Sequence, residues 1–124
     1  MAKILIAEDE RDIRDLITFT LRFADHEVIV TSNGAEAVEQ ALKTLPDLIM
    51  LDVRMPKMTG YQAGKHITDE ETTTPSPVIL LSAKGQESEV QTGMDAGAVA
   101  YILKPFAPDK LTGRVSEILA KHTQ

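Results

Sequence analysis

Short apolar runs that end in polar residues alternate along this chain with longer stretches in which apolar residues recur every three or four positions. The first pattern predicts buried strands and the second predicts helices with one apolar face. Residues 3–8 read as the first strand, and Ile13, Leu16, Ile17 and Leu21 stripe the helix after it. A second strand at 27–31 leads through the turn Ser32-Asn33-Gly34 into a helix striped by Ala37, Val38, Ala41 and Leu42, which stops before Pro46. Residues 47–52 form the third strand. Pro56 and Gly60 then mark a loop, since proline disfavours a helical Met55 and glycine admits backbone angles that other residues avoid. A short helix with Ala63 and Ile67 on a weak stripe follows, and the polar segment 68–77 reads as loop. The fourth strand covers 78–81 and ends at Ser82. A helix over 87–96 is weakened by Gly93, the fifth strand covers 100–103, and Leu111, Val115, Ile118 and Leu119 line the last helix.

Five such units with near-continuous apolar strands predict an α/β fold in which helices cover both faces of a parallel sheet through right-handed crossovers. The units are too few for an eight-fold barrel. In open sheets of this kind ligands bind beyond the carboxyl ends of the strands, near the point where strand order reverses. The residues expected along that edge are Glu8, Asp9, Asp52, Ser82 and Lys104.

Three carboxylates at one edge repel one another unless a cation neutralises them. With oxygen donors and no His or Cys beside them, a hard divalent ion such as Mg²⁺ or Mn²⁺ suits the site, because it accepts oxygen ligands and keeps open positions for phosphoryl oxygens. Lys104 adds a point charge and the Ser82 hydroxyl adds a hydrogen-bond donor. Together they describe phosphoryl transfer. Each residue also has a plainer reading. Asp52 caps a turn, Glu8-Asp9-Glu10 complements a helix dipole, Tyr101 packs on its strand, and Met55, Met58 and Met94 are packing or loop residues. The joint placement favours chemistry.

Composition narrows the setting. The 124 residues suit one domain, expected to span 1–124 without an output domain because the chain ends soon after Leu119. No Cys is present, and no apolar stretch approaches the roughly 18 residues that span a bilayer, so a cytoplasmic protein is expected. The net charge of -6 should repel nucleic acid and anionic membranes. His26, His66 and His122 are too far apart to share one helix face and read as surface residues.

The motifs Ala7-Glu8-Asp9-Glu10, Leu51-Asp52-Val53-Arg54-Met55-Pro56 with Gly60, Leu81-Ser82-Ala83-Lys84, and Tyr101-Ile102-Leu103-Lys104-Pro105-Phe106 resemble those of bacterial response-regulator receiver domains, of the stand-alone, chemotaxis-regulator kind. The resemblance covers essentially the whole chain. It implies a flavodoxin-like, doubly wound (βα)5 three-layer sandwich with strand order 2-1-3-4-5. It implies Asp52 as phosphoacceptor, Glu8, Asp9, Asp52 and the Arg54 backbone carbonyl as Mg²⁺ ligands, Ser82 and Lys104 as phosphoryl-binding groups, and Ser82 with Tyr101 as a switch. It also implies a cis Lys104-Pro105 bond. Arg54 and Lys84 are expected to modulate phosphoryl lifetime. The implied partners are a sensor histidine kinase or phosphotransfer protein and a downstream protein target, with neither nucleic acid nor membrane bound directly, and a phosphorylation-dependent homodimer is compatible with the pattern. Gly97-Ala98-Val99-Ala100 lacks the acidic pair that often precedes the aromatic residue, so partner identity carries over less well.

Two other functions share parts of this pattern. A flavin-binding electron carrier of the same topology needs a phosphate-cradling loop after the first strand, where Glu8-Asp9-Glu10 would repel a phosphate. A phosphatase with an aspartyl nucleophile would resemble Asp-x-Asp, but Arg54 holds the second acidic position.

Overall fold

The computed structural model describes residues 2–53, 76–95 and 97–122. Its elements are β1 (Lys3–Ala7), α1 (Arg11–Phe23), β2 (Glu27–Thr31), α2 (Gly34–Thr44), β3 (Leu48–Asp52), β4 (Val78–Ala83), α3 (Glu87–Asp95), β5 (Ala100–Lys104) and α4 (Pro108–His122). The loop at Pro56 and Gly60, the short helix carrying Ala63 and Ile67, and nearly all of the 68–77 loop lie outside the described residues. The five strands are parallel in the order β2-β1-β3-β4-β5, as the motifs imply.

Period-two alternation divides the core. Ile4, Ile6, Met50, Leu81 and Ile102 turn to the face that receives Ile17 and Leu21 of α1 and Leu111, Val115 and Ile118 of α4. Leu5, Ala7, Leu51 and Leu80 turn to the other face, against Ala37, Val38 and Ala41 of α2 and Val90 of α3. Strands buried on both faces must be apolar at nearly every position, which is why β1, β3 and β4 read as unbroken runs. The α2 start is fixed by reciprocal caps: the Asn33 side chain accepts the Glu36 amide at 2.9 Å, and Glu36 Oε1 accepts the Ser32 amide at 3.0 Å.

The structure corrects several expectations. β4 continues through Ser82 to Ala83 and β5 includes Lys104, so both residues lie within their strands rather than just past them. Leu16 and Leu42, assigned to buried stripes, are exposed, because each apolar stripe is wider than the contact its helix makes with the sheet. His26 is half-buried rather than free at the surface: its Nδ1 accepts the Ala2 amide at 3.1 Å, and burial lowers its pKa. His66 and the His122 side chain lie outside the described residues.

Two residues on α1 separate core from surface. Leu21 is fully buried, whereas Phe23 is 85% exposed. Leu21→Ala is expected to cost about 2–5 kcal/mol, and Phe23→Ala to stay within about 0.5 kcal/mol of the parent. Urea unfolding measures both, and equal losses would contradict this packing.

Candidate functional site

The reversal of strand order at β1 and β3 brings the end of β1 beside the end of β3. Glu8 follows β1 and is fully buried. Its amide donates to the Thr31 carbonyl at 3.3 Å, its carbonyl accepts from Arg14 at 3.1 Å, and its Oε2 accepts the Glu10 amide at 3.2 Å. The chain therefore turns into α1 with the Glu8 side chain held inside. Asp52, the last residue of β3, sits opposite Leu81 and is buried. The next amide, Val53, still donates to the Leu81 carbonyl at 3.0 Å, so the strand end is fixed on both sides of the acid.

Lys104 closes β5 and reaches back over this edge. Its ammonium lies 3.1 Å from Glu8 Oε1 and 3.4 Å from Asp52 Oδ2. Asp9 is exposed, and one carboxylate oxygen from each of Glu8, Asp9 and Asp52 lies within 4.8 Å of the others. The Lys104-Pro105 bond is cis, as the resemblance implies.

The charges do not balance by themselves. Burial, then the hydrogen bond to Asp52 and repulsion from it, push the Glu8 pKa up to about 8, although Lys104 pulls the other way. For Lys104, burial favours the neutral amine, but the Asp52 and Glu8 carboxylates outweigh it and raise its pKa. Near neutrality the site thus holds a fixed ammonium and a proton on Glu8. A divalent cation could take the proton's place. An all-oxygen donor set of three clustered carboxylates suits Mg²⁺ in its chemistry. The Arg54 carbonyl expected as a further ligand lies outside the described residues.

Ser82 belongs to the same edge but not to the same face. By strand alternation Glu8, Asp52 and Lys104 project to the face covered by α1 and α4, while Ser82, Tyr101 and Leu103 project to the face covered by α3. Ser82 lines a groove of about 440 Å³ with Val90, Gln91, Met94, Tyr101 and Leu103. Its hydroxyl is buried without a hydrogen-bond partner, and among the described residues it is the buried side-chain polar atom left in that state. An orphaned hydroxyl costs about 1–3 kcal/mol and gains by finding an acceptor. Tyr101 is half exposed at the mouth of the groove.

Lys84 is exposed in the turn after β4, where Gly85 takes a φ of 91°, a conformation that an L side chain would resist. The Ala83 amide donates to Gln86 Oε1 at 2.7 Å and steadies this turn. Gln86 and Arg14 are absent from the sequence reading. No pattern marks Gln86, and Arg14 falls on the polar side of its helix.

The family model described as response regulator receiver domain matches residues 4–116. The alkaline phosphatase synthesis transcriptional regulatory protein PhoP of Bacillus subtilis is 36% identical over 96% of this chain and 49% of its own length. The phosphate regulon transcriptional regulatory protein PhoB of Escherichia coli is 35% identical over 96% of this chain and 52% of its own. The chain spans about half the length of these two regulators. Among solved structures, the chemotaxis response regulator CheY4 of Vibrio cholerae superposes with a TM-score of 0.89 at 32% identity, covering 95% of this chain and 98% of that one.

The proton on Glu8 has a measurable consequence. Its folded pKa of about 8 lies above the unfolded value near 4.5, so the folded state binds the extra proton between them. This contribution to stability is complete below pH 4.5 and is lost as pH rises through about 8. Chelation removes the same penalty. The rise in melting temperature on adding Mg²⁺ is expected to be larger at pH 9 than at pH 6, and Glu8→Gln should flatten the difference. Equal rises at both pH values in the parent protein would contradict a protonated Glu8.

Proposed function

The chain belongs to the response regulator receiver domains of two-component signalling, whose mechanism is phosphorylation of an aspartate, and from that premise we propose that Asp52 is the phosphoacceptor. A single observation carries this reading. Asp52 is the buried carboxylate that ends a central strand with an ammonium 3.4 Å away and two further carboxylates within chelating reach.

An Asp52 oxygen attacks the phosphorus of a phosphohistidine on a kinase or phosphotransfer protein. The O–P bond forms as the N–P bond breaks, and the imidazole leaves with the electron pair. Glu8, Asp9 and Asp52 would hold Mg²⁺, which would offset the negative charge that gathers between phosphoryl group and acids. Lys104 already stands beside Asp52 and receives a phosphoryl oxygen without rearrangement. Ser82 supplies the remaining donor, and its unsatisfied hydroxyl supports that role. To reach the phosphoryl group it must draw toward the edge and away from the groove it shares with Tyr101, which lets the aromatic ring move inward. Lys84, exposed just past β4, shields the product from attacking water, and Arg54 shares this task.

The protein acts as a signalling switch rather than on an external substrate. Phosphorylation shifts the population of α3 and β5, and a downstream protein reads that surface in the cytoplasm, without direct contact to nucleic acid or membrane. Among the described residues no helix is long and apolar enough to cross a membrane. Neither a flavin carrier nor a phosphatase finds a favouring observation, since the acidic end of β1 offers a flavin phosphate only repulsion.

Incubation with Mg²⁺ and a small phosphodonor is expected to add one phosphoryl group by intact mass to the parent and none to Asp52→Asn. Equal labelling of both would remove Asp52 from its role. Hydrogen exchange supplies a second check on the switch. Phosphorylation should alter protection across 87–103 in the parent and leave it little changed in Ser82→Ala, and an identical response in both would show that Ser82 does not transmit the signal.

A further inference from the structure

The turn between β1 and α1 carries two of the three clustered acids, Glu8 and Asp9, and its backbone is held from the helix side by Arg14. The Arg14 amide donates to the Glu10 carbonyl at 2.9 Å, and the Arg14 Nη1 donates to the Glu8 carbonyl at 3.1 Å. Two bonds from one residue thus bracket Asp9. Helical side chains lean toward the helix N-terminus, so Arg14, at the end of the first turn of α1, is aimed back over this segment. The usual clamp is missing there, since the N-cap residue Glu10 makes no side-chain cap bond.

Asp9 depends on that backbone. It is exposed, and among the described residues nothing bonds its carboxylate, whereas Glu8 is buried and Asp52 ends a paired strand. The Glu8 carbonyl and the Asp9 amide belong to one planar peptide, so a bond that fixes the first fixes the direction in which Asp9 leaves the chain. Charge does not account for Arg14 in this place. A guanidinium near the N-terminus of a helix opposes the helix dipole, and beside three acids it would repel a divalent ion that they bind. We propose that Arg14 is a positioning residue for the metal, holding the Glu8-Asp9 peptide through the Glu8 carbonyl so that the Asp9 carboxylate faces Glu8 and Asp52. The half-buried guanidinium makes a charge-assisted bond, stronger than one between neutral groups and suited to this task. The inference rests on the reading of Glu8, Asp9 and Asp52 as the Mg²⁺ site, and it adds a residue that acts only through the turn.

Positioning and charge differ in the sign of their effect. Amide NMR spectra of the full chain are followed as Mg²⁺ is added to the parent, to Arg14→Met, which keeps the aliphatic stem, and to Arg11→Met, which removes the same charge from the same end of α1. Arg14→Met is expected to weaken Mg²⁺ binding about ten-fold, as loss of a group that orients a metal ligand does. Loss of a nearby cation would by itself tighten binding, and Arg11→Met should leave it unchanged or slightly tighter. A second measurement needs no metal. Exchange of the Glu10 amide, which bonds Glu8 Oε2 across the turn, should be faster in metal-free Arg14→Met, while Leu5 in the core of β1 keeps its protection. Mg²⁺ binding that is unchanged or tighter in Arg14→Met overturns the proposal and leaves the three-acid site standing. Weaker binding with Glu10 exchange unchanged, or exchange that also quickens at Leu5, overturns it too, since Arg14 would then act elsewhere or serve stability alone. A parent whose spectrum does not respond to Mg²⁺ overturns the site itself, and this inference with it.

Discussion

The Lys104 ammonium, together with the proton that Glu8 keeps, allows two carboxyl groups to be buried side by side. Glu8 and Asp52 are almost wholly shielded from water, and the ammonium lies within 3.1 Å of one and 3.4 Å of the other. Burial of even one such charge without a partner would cost several kcal/mol. The partner arrives from the far end of the chain, 96 residues after Glu8, and reaches the site only because β5 is laid beside β4 and β4 beside β3. Strand order, the parallel register and the acidic edge are therefore one constraint. Any packing that moved β5 out of line would leave the acids without their cation.

That dependence explains which features are legible in the amino-acid order. Strands buried on both faces need unbroken apolar runs, so β1, β3 and β4 stand out, and charged residues at their ends mark the edge without reference to contacts. Glu8, Asp9, Asp52 and Lys104 are found this way, and the structure brings all four together. Ser82 and Lys104 read as lying just past their strands because a polar side chain ends an apolar run, whereas pairing with the neighbouring strand reaches them. The burial of Leu16 and Leu42 is misjudged for a related reason. Helical spacing fixes direction around the axis, but the width of contact depends on how close the sheet stands. Arg14 and Gln86 are invisible because each bonds a backbone atom of a nearby turn, six and three residues away, and no periodicity marks such a bond.

The division of the edge between two faces gives the proposed switch its physical form. On one face the acids have Lys104 as a hydrogen-bonding partner, and on the other the Ser82 hydroxyl has none. Added charge beside Asp52 changes what is available to Ser82, and Ser82 lies in the groove that Tyr101 borders. β4 alone separates the two environments.

The placement of aromatic residues separates what the fold needs from what it leaves over. The largest fully buried side chains are Ile, Leu and Met, while Phe19, Phe23 and Tyr101 are exposed. A core filled by aliphatic chains gains little from rings at the surface, and exposed rings raise the risk of unwanted association. Tyr101 has a groove beside it that connects to Ser82. Phe19 and Phe23 have no such internal role and border a groove between α1 and the start of α4. Burial explains the apolar residues that face inward on α1. The outward pair has no part in that packing.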